Sequence, residues 1–550
     1  MFYLVAGSFI TVYIILAMVN SSRKRKKKII DQVRNTWGNP KAGTFPFESI
    51  KKYATVAGGN GFHQVNRQTM NDIDFLDLFG FIDRTTSKIG QQFLFNQLLH
   101  PTHEQKSLQR LNKRAQLFTD NVALREQVQR HLVGLSASDA YYVSSLLEET
   151  RLEKPSWFYL LYVNFALTFV FLGLSIVYPV ALIWLIIPIT INTFVSYWNK
   201  SNTFFYIRSF PQLSVLIDVS EKLNEKNLEY DVEEVKASIA ALKPFQWKMA
   251  FLSLSSDGSI KDELNQAATY LLELLKGFFL VEVFTLFQLT KELESKRNSI
   301  RILFDYIGNI DGALSVASLR AGDKKTCLPE FTPPMKEMQA RKMYHPLIKD
   351  CVKNDLTIKD KSILITGSNM SGKTTFLRTV AINSLLAQTI YTVFADEFQS
   401  PMMRLYSSIR IDDNLLEGKS YYYEEVNTIG SLVSEVNSPF QNIFLLDEVF
   451  KGTNTIERIA AAKAALSYLN QGPNIVIVST HDLELPGMLQ HQFDQYHFSE
   501  SIENDRLHFD HKIKQGPLLS GNAIRILQIS NYPDQIINEA KQLSHSLSSS

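Results

Sequence analysis

Residues Gly367, Ser368, Asn369, Met370, Ser371, Gly372, Lys373 and Thr374 fit the pattern G-x-x-x-x-G-K-[ST] without a mismatch. Two glycines let successive backbone N–H groups curl around an anion, and a helix behind such a loop adds its positive end. The Lys373 ammonium is then placed for the β- and γ-phosphates of a nucleotide, and the Thr374 hydroxyl for magnesium. Apolar Ile363, Leu364 and Ile365 precede the loop and a helical pattern follows it. That is the strand–loop–helix setting this chemistry requires.

About 75 residues downstream, the apolar run 443–446 ends in Asp447 and Glu448. An acid at a strand tip reaches the metal, here Asp447, and its neighbour Glu448 orients or deprotonates the attacking water. A second apolar run, 475–478, leads through Ser479 and Thr480 to His481. A histidine there is either structural or a donor to the γ-phosphate. Gly452, Thr453, Asn454 and Thr455 have the composition of a helix N-terminus. The stretch Ser420 to Glu425, with three consecutive tyrosines, is open to core packing or to a nucleotide at a subunit contact. His491, His497, His508 and His511 show no metal-ligand spacing.

Elements must hold these groups. Strands are expected at 363–366, 390–395, 442–446 and 474–479, and helices at 371–386 and 456–469. Strands alternating with helices point to a parallel, doubly wound sheet. Pro329, Pro333 and Pro334 mark a linker ahead of it. Before the linker, residues 60–150 and 203–320 carry helical periodicity, with clear runs at 231–242 and 261–275.

With 550 residues, the chain is long enough for about three or four folding units. Its 57 Lys+Arg against 55 Asp+Glu favour neither a nucleic-acid nor an acidic-membrane partner, and two cysteines, Cys327 and Cys351, exclude a disulfide framework. Apolar residues 2–19 are followed by the basic block 23–28, the reverse of a cleaved signal. This order predicts an anchor with its N-terminus outside and the basic block in the cytoplasm. Residues 155–199 hold no charge, about twice the length one membrane span needs. Two spans are expected, 157–176 and 180–198, turning at Tyr178 and Pro179, with Trp157 and Trp198 at the interface. The competing reading is a buried soluble hairpin. The shorter stretch 277–289, with Glu282, reads as a buried core helix.

These blocks resemble, in order, those of the MutS family of DNA mismatch repair ATPases, an ABC-like class. Residues 367–375, ending in Thr375, look like the family's G-P-N-M-G-G-K-S-T loop; Asp447-Glu448 with 452–455 looks like D-E-x-x-x-G-T-S-T; Ser479-Thr480-His481 looks like A-T-H. Tyr344-His345-Pro346 resembles the family's R-H-P segment, and 418–425 its G-x-S-T-F-x-x-E-M signature. Asp83-Arg84-Thr85-Thr86 with Gly90 is similar to the helical core domain, and Gly521-Asn522-Ala523 with Tyr532-Pro533 to the C-terminal dimerisation segment. The resemblance implies an α/β P-loop NTPase domain behind a mostly α-helical core and transmembrane helices. It implies ATP and Mg2+ as cofactors and a homodimer with two composite sites. Lys373, Glu448 and His481 would be catalytic, residues 367–375 would hold the nucleotide, Thr374 and Asp447 the metal, and Ser420 would come from the opposite subunit.

The expected division is an anchor at 1–20, a basic linker at 21–59, helical core at 60–154 and 200–328 around the hairpin 155–199, the ATPase at 329–515, and a dimerisation segment with tail at 516–550. Too few residues precede the core for the family's mismatch-reading domain, and the hairpin interrupts the helices about where its DNA clamp would stand. Two functions follow: a membrane ATPase that handles DNA in repair, or an ATP-driven switch acting on membrane or protein partners without DNA. An ABC transporter fits poorly, because three spans offer little pathway and no L-S-G-G-Q signature is present.

Overall fold

The computed structural model describes residues 28, 30, 31, 33–59, 61–148, 155–226, 228, 232–253, 278–368, 370–410, 421–482, 484–503, 506–518, 527, 528 and 532–549. The expected anchor at 1–20, the run 261–275, Asn369, Ser420 and Gly521-Asn522-Ala523 lie outside the described residues. The helices used below are α1 (Arg67–Asp72), α2 (Phe75–Ile82), α3 (Lys88–Leu99), α4 (Gln105–Asp120), α5 (Val122–Leu132), α6 (Phe158–Val177), α7 (Ile186–Asn202), α8 (Phe204–Asn224), α9 (Val232–Ser253), α10 (Val281–Arg320), α11 (Lys373–Thr389), α12 (Tyr421–Ser434), α13 (Thr455–Leu469) and α14 (Asp534–Ser549). The described residues divide into two compact units. One takes those up to Gly58 with Ile82–Asn96 and Asn112–Ala321; the other takes Gly59–Phe81, Gln97–Leu111 and those from Gly322 onward.

The first unit is helical and built along α10, whose 40 residues extend about 60 Å. Its last six turns are lined with buried side chains such as Ile300, Leu303, Phe304, Ile307, Ile310 and Leu314. Close approach explains two glycines. A Cβ on Gly308 would meet the Phe93 ring at 2.4 Å, and one on Gly90 would meet the Asp311 carboxylate at 2.2 Å. Asp311 in turn accepts the N–H groups of Thr86 and Ser87, at 2.8 and 2.6 Å, and the Ser87 hydroxyl at 2.6 Å. The segment 83–87 is thereby locked where α3 begins.

Helix α6 and the span Ala181–Asn199, of 20 and 19 residues, are each long and apolar enough to cross a membrane. They turn at Tyr178-Pro179, where the Ala181 N–H donates to the Tyr178 carbonyl. Trp157 and Trp198 meet edge-on at the other end, ring centroids 5.1 Å apart. Residues 278–289 are largely buried, as expected of a core segment. Their partners are Phe158, Leu161 and Val195 of this apolar pair.

The second unit holds two sheets, formed by β1 (Glu330–Thr332), β2 (Glu337–Met343), β3 (Asn354–Lys359), β4 (Ser362–Thr366), β5 (Glu397–Pro401), β6 (Arg404–Ser408), β7 (Asn442–Asp447), β8 (Ile475–Thr480), β9 (Phe493–Glu503) and β10 (Arg506–Gln515). The larger has the order β10-β9-β4-β8-β7-β6, parallel except for β10. Its central strands are continuous apolar runs because both faces are covered. The smaller sheet, β1-β5-β2-β3, has no counterpart in the sequence expectations. Nor do residues 390–395 form the expected strand. They are fully buried, and their backbone bonds go elsewhere: Val393 bridges Cys327, and the Phe394 N–H donates to the Asn383 amide oxygen at 2.7 Å. The sheet position falls instead to β6, fourteen residues after Ile390.

Candidate functional site

Strands β4, β8 and β7 lie side by side and parallel, so their C-terminal ends share one edge of the sheet. Ligand sites of open α/β sheets form at such edges. The loop after β4 carries 367–372, the tip of β7 carries Asp447 and Glu448, and β8 delivers Ser479, Thr480 and His481.

The loop needs its glycines. Gly367 has φ +143°, and a Cβ there would meet the Phe498 carbonyl at 2.8 Å; Gly372, at φ +113°, caps α11 in a left-handed conformation. Lys373 is buried, with its ammonium turned back into the loop to donate to the carbonyls of Gly367 (2.6 Å) and Ser368 (2.9 Å). Burial lowers its pKa, while the carboxylates of Asp447, Glu448 and Glu500 oppose that shift. Two donated bonds orient the ammonium within the loop. Ser371 is buried and donates to the Ser368 carbonyl at 2.7 Å. Met370 is exposed, and Thr375 follows in the first turn of α11.

Behind the loop, the Thr374 hydroxyl donates to Asp447 at 2.6 Å, and the Ser479 hydroxyl holds the other oxygen of the same carboxylate. A hydroxyl and a carboxylate so placed are the hard oxygen donors a magnesium ion takes. Glu448 sits in a left-handed turn at φ +53°, its N–H bonded to the Ser479 carbonyl. Its carboxylate meets His481 Nε2 at 2.7 Å and Lys451 Nζ at 2.5 Å. The His481 hydrogen bond, joined by Lys451 against the cost of burial, holds the carboxyl down at about 2. So acidic a group is a weak base; it serves best as an acceptor that orients water. His481 Nε2 also lies 3.4 Å from Lys373 Nζ, linking loop, acid and histidine. The structure thus brings together 367, 368, 370–375, 447, 448 and 481.

Three further residues join the site: Glu425, from the 418–425 block, and Glu500 and His511, to which the sequence assigned no role. Glu425, on α12, is buried and accepts the Lys451 N–H at 3.2 Å, fastening the turn that aims Glu448. Glu500, on β9, accepts the Ser368 hydroxyl. His511, on β10, meets the Ser371 carbonyl at 3.0 Å through Nδ1. It also lines a cavity of about 380 Å3 beside the loop, with Met343, Ile348, Cys351, Gly372 and Thr375. Only the pairing of β9 with β4 and β10 brings these last two to the loop, and no local pattern announces that pairing. Asn454 does what its composition indicates, accepting the Glu457 N–H at 3.0 Å to cap α13.

Comparison with known proteins locates the same region. Residues 363–548 match the family described as MutS domain V. The chain is 29% identical over 257 residues to a DNA mismatch repair protein MutS of Thermus thermophilus, an alignment that covers 46% of this chain and 30% of that protein. It is 27% identical over 327 residues to a DNA mismatch repair protein MutS of Bacillus cereus, covering 57% and 36% respectively. The match to the Thermus aquaticus MutS has the same extent as the first, at 29% identity. The chain therefore spans about a third of the length of these relatives.

Proposed function

The chain belongs to the MutS family, and from that premise we propose that it is a membrane-anchored, homodimeric ATPase acting in a DNA repair role. The observation that carries the hydrolytic part is the 2.6 Å contact between Thr374 and Asp447 behind the loop, with the Glu448–His481 pair one residue on. Thr374 and Asp447 would hold magnesium, which would spread the charge of the β- and γ-phosphates when bound. Residues 367–375 wrap the phosphates, and Lys373 turns its ammonium from the loop carbonyls to them. Glu448 accepts a hydrogen bond from the attacking water and fixes its line of approach. His481 holds Glu448 in place and keeps a ring nitrogen next to the γ-phosphate position. The cavity beside His511 would take the nucleoside, and Ser420 would be supplied by the partner subunit. Helix α6 and its return span cross the membrane, with the N-terminus outside and the ATPase unit in the cytoplasm.

The test is ATP turnover by the full chain in detergent. Lys373→Ala should reduce it about a hundredfold or more, the usual cost of one preorganised donor to developing charge. Unchanged turnover would overturn the reading. The outward-facing apolar residues of the α6 hairpin favour a second reading, an ATP-driven switch that works on the membrane without DNA. Duplex binding across a salt series separates the two. A DNA-handling protein loses affinity steeply as phosphate contacts release counterions; no binding at low salt favours the switch.

A further inference from the structure

The apolar hairpin is not a two-helix object. Four ring contacts run along it in sequence. Phe287 packs on Phe158 at 4.7 Å, Phe284 stacks on Tyr162 at 4.9 Å and meets Phe165 at 5.6 Å, and Phe279 faces Phe169 at 5.2 Å. As residue numbers rise on α6 they fall on the partner segment, so the start of α10 runs antiparallel to α6. From the Phe158 level to the Phe169 level is eleven residues, about 16 Å along a helix. That is half the hydrocarbon thickness of a bilayer.

A polar cluster marks the deep end. Asn164 donates to the Asn192 amide oxygen at 2.6 Å and to the Pro188 carbonyl at 3.2 Å. Asn192 donates to the Phe278 carbonyl at 2.6 Å and reaches the Thr168 hydroxyl at 3.4 Å. All three side chains are buried, Asn192 completely. Residues on the opposite side of the same helices, such as Leu160, Val163, Val170 and Ile187, are more than half exposed. Polar inside and apolar outside is the reverse of a soluble helix pair and the pattern that hydrocarbon imposes. The Phe278 carbonyl lies just ahead of Leu280, whose left-handed turn at φ +50° precedes α10. In lipid such a group must find a protein donor, and Asn192 is that donor. Glu282, the one charged residue in this stretch, is 5% exposed and so faces protein rather than the outer surface.

We infer that residues 278–289 form a third membrane-embedded segment, a half-span that enters beside α6 and is tethered at mid-depth by Asn192 to the Phe278 carbonyl. The occupant of the outer apolar face is lipid hydrocarbon. Helix α10 therefore begins inside the bilayer and continues without a break to Arg320, two residues before the chain enters its nucleotide-bearing unit at Gly322. The inference rests on the membrane reading of the hairpin, and the experiment separates the two.

Single cysteines are placed at Val170, Phe279 and Ser295 in the full chain carrying Cys327→Ser and Cys351→Ser, labelled with a bimane, and reconstituted in vesicles containing lipid spin-labelled at mid-chain. Quenching of at least twofold at both Val170→Cys and Phe279→Cys, but not at Ser295→Cys, is expected. Quenching at Val170→Cys without quenching at Phe279→Cys overturns the half-span and leaves the hairpin in the membrane. Quenching at neither removes both. Adding Asn192→Leu, apolar and of similar size, should keep the Val170→Cys signal and expose Phe279→Cys severalfold more to an impermeant maleimide in opened vesicles. Unchanged protection there overturns the tether.

Discussion

Glu448 is the residue whose surroundings say most about its work. Two cations or donors, His481 and Lys451, converge on a carboxylate already inside the protein, and together they hold it at about 2 against an ordinary value of 4.5. A depressed carboxyl pKa contributes folding stability that is fully present above the unfolded value and disappears as pH falls through the folded one. Between pH 4.5 and about 2, then, the contribution of Glu448 fades. Glu448→Gln should destabilise the protein at pH 7 by more than it does at pH 4, with the gap closing as acid is added. Thermal melts of the two proteins at stepped pH measure this. A gap that widens on acidification would show that the carboxylate is not held by its partners. The same substitution should abolish turnover, since an amide presents the water with a different pattern of donors and acceptors.

Among the elements, α12 has a job at the turn that follows β7. It presents Glu425 to the Lys451 N–H in the turn after β7, where Glu448 and Phe450 both adopt left-handed backbone, φ +53° and +61°. Non-glycine residues persist in that region only when their surroundings insist on it. Glu425 touches no reacting atom, so it is a positioning residue. Glu425→Ala should lower kcat about tenfold to a hundredfold with little change in the KM for ATP, and Glu425→Gln, which keeps an acceptor, should recover part of the loss. Equal loss in kcat and KM would mean that the turn shapes binding instead. The elements also show where sequence suffices. Strands β4, β7 and β8 and helices α11 and α13 were legible, because each is a long apolar or periodic run ending in a motif with its own chemistry. Residues 390–395 misled because burial, not pairing, explains their apolar character. The β2–β3 pair alternates buried and exposed residues, a usable signal that its charged outer face obscured. Glu500 and His511 reach the loop through strand pairings distant in sequence, and periodicity carries no information on those.

At the scale of the whole molecule, each unit encloses its own core. One is organised along α10 with buried Leu303, Phe304 and Ile307; the other surrounds the six-stranded sheet with Phe444, Leu446, Val476 and Val478. Units with separate cores unfold as separate cooperative blocks. Two calorimetric transitions are therefore expected for the full chain in detergent, and they should respond to different perturbations. A non-hydrolysable ATP analogue with magnesium, at a hundred times its Kd, should stabilise the transition of the sheet-containing unit by about 2.7 kcal/mol. Lys373→Ala should remove that shift. Gly308→Ala drives a methyl group into the Phe93 ring and should cost the helical unit about 1–3 kcal/mol, the usual range for overpacking. That variant should keep the full nucleotide shift in the other transition. One transition that moves as a whole under both perturbations would show that the units fold as a single block, and that an ATP-dependent change in one is felt throughout the other.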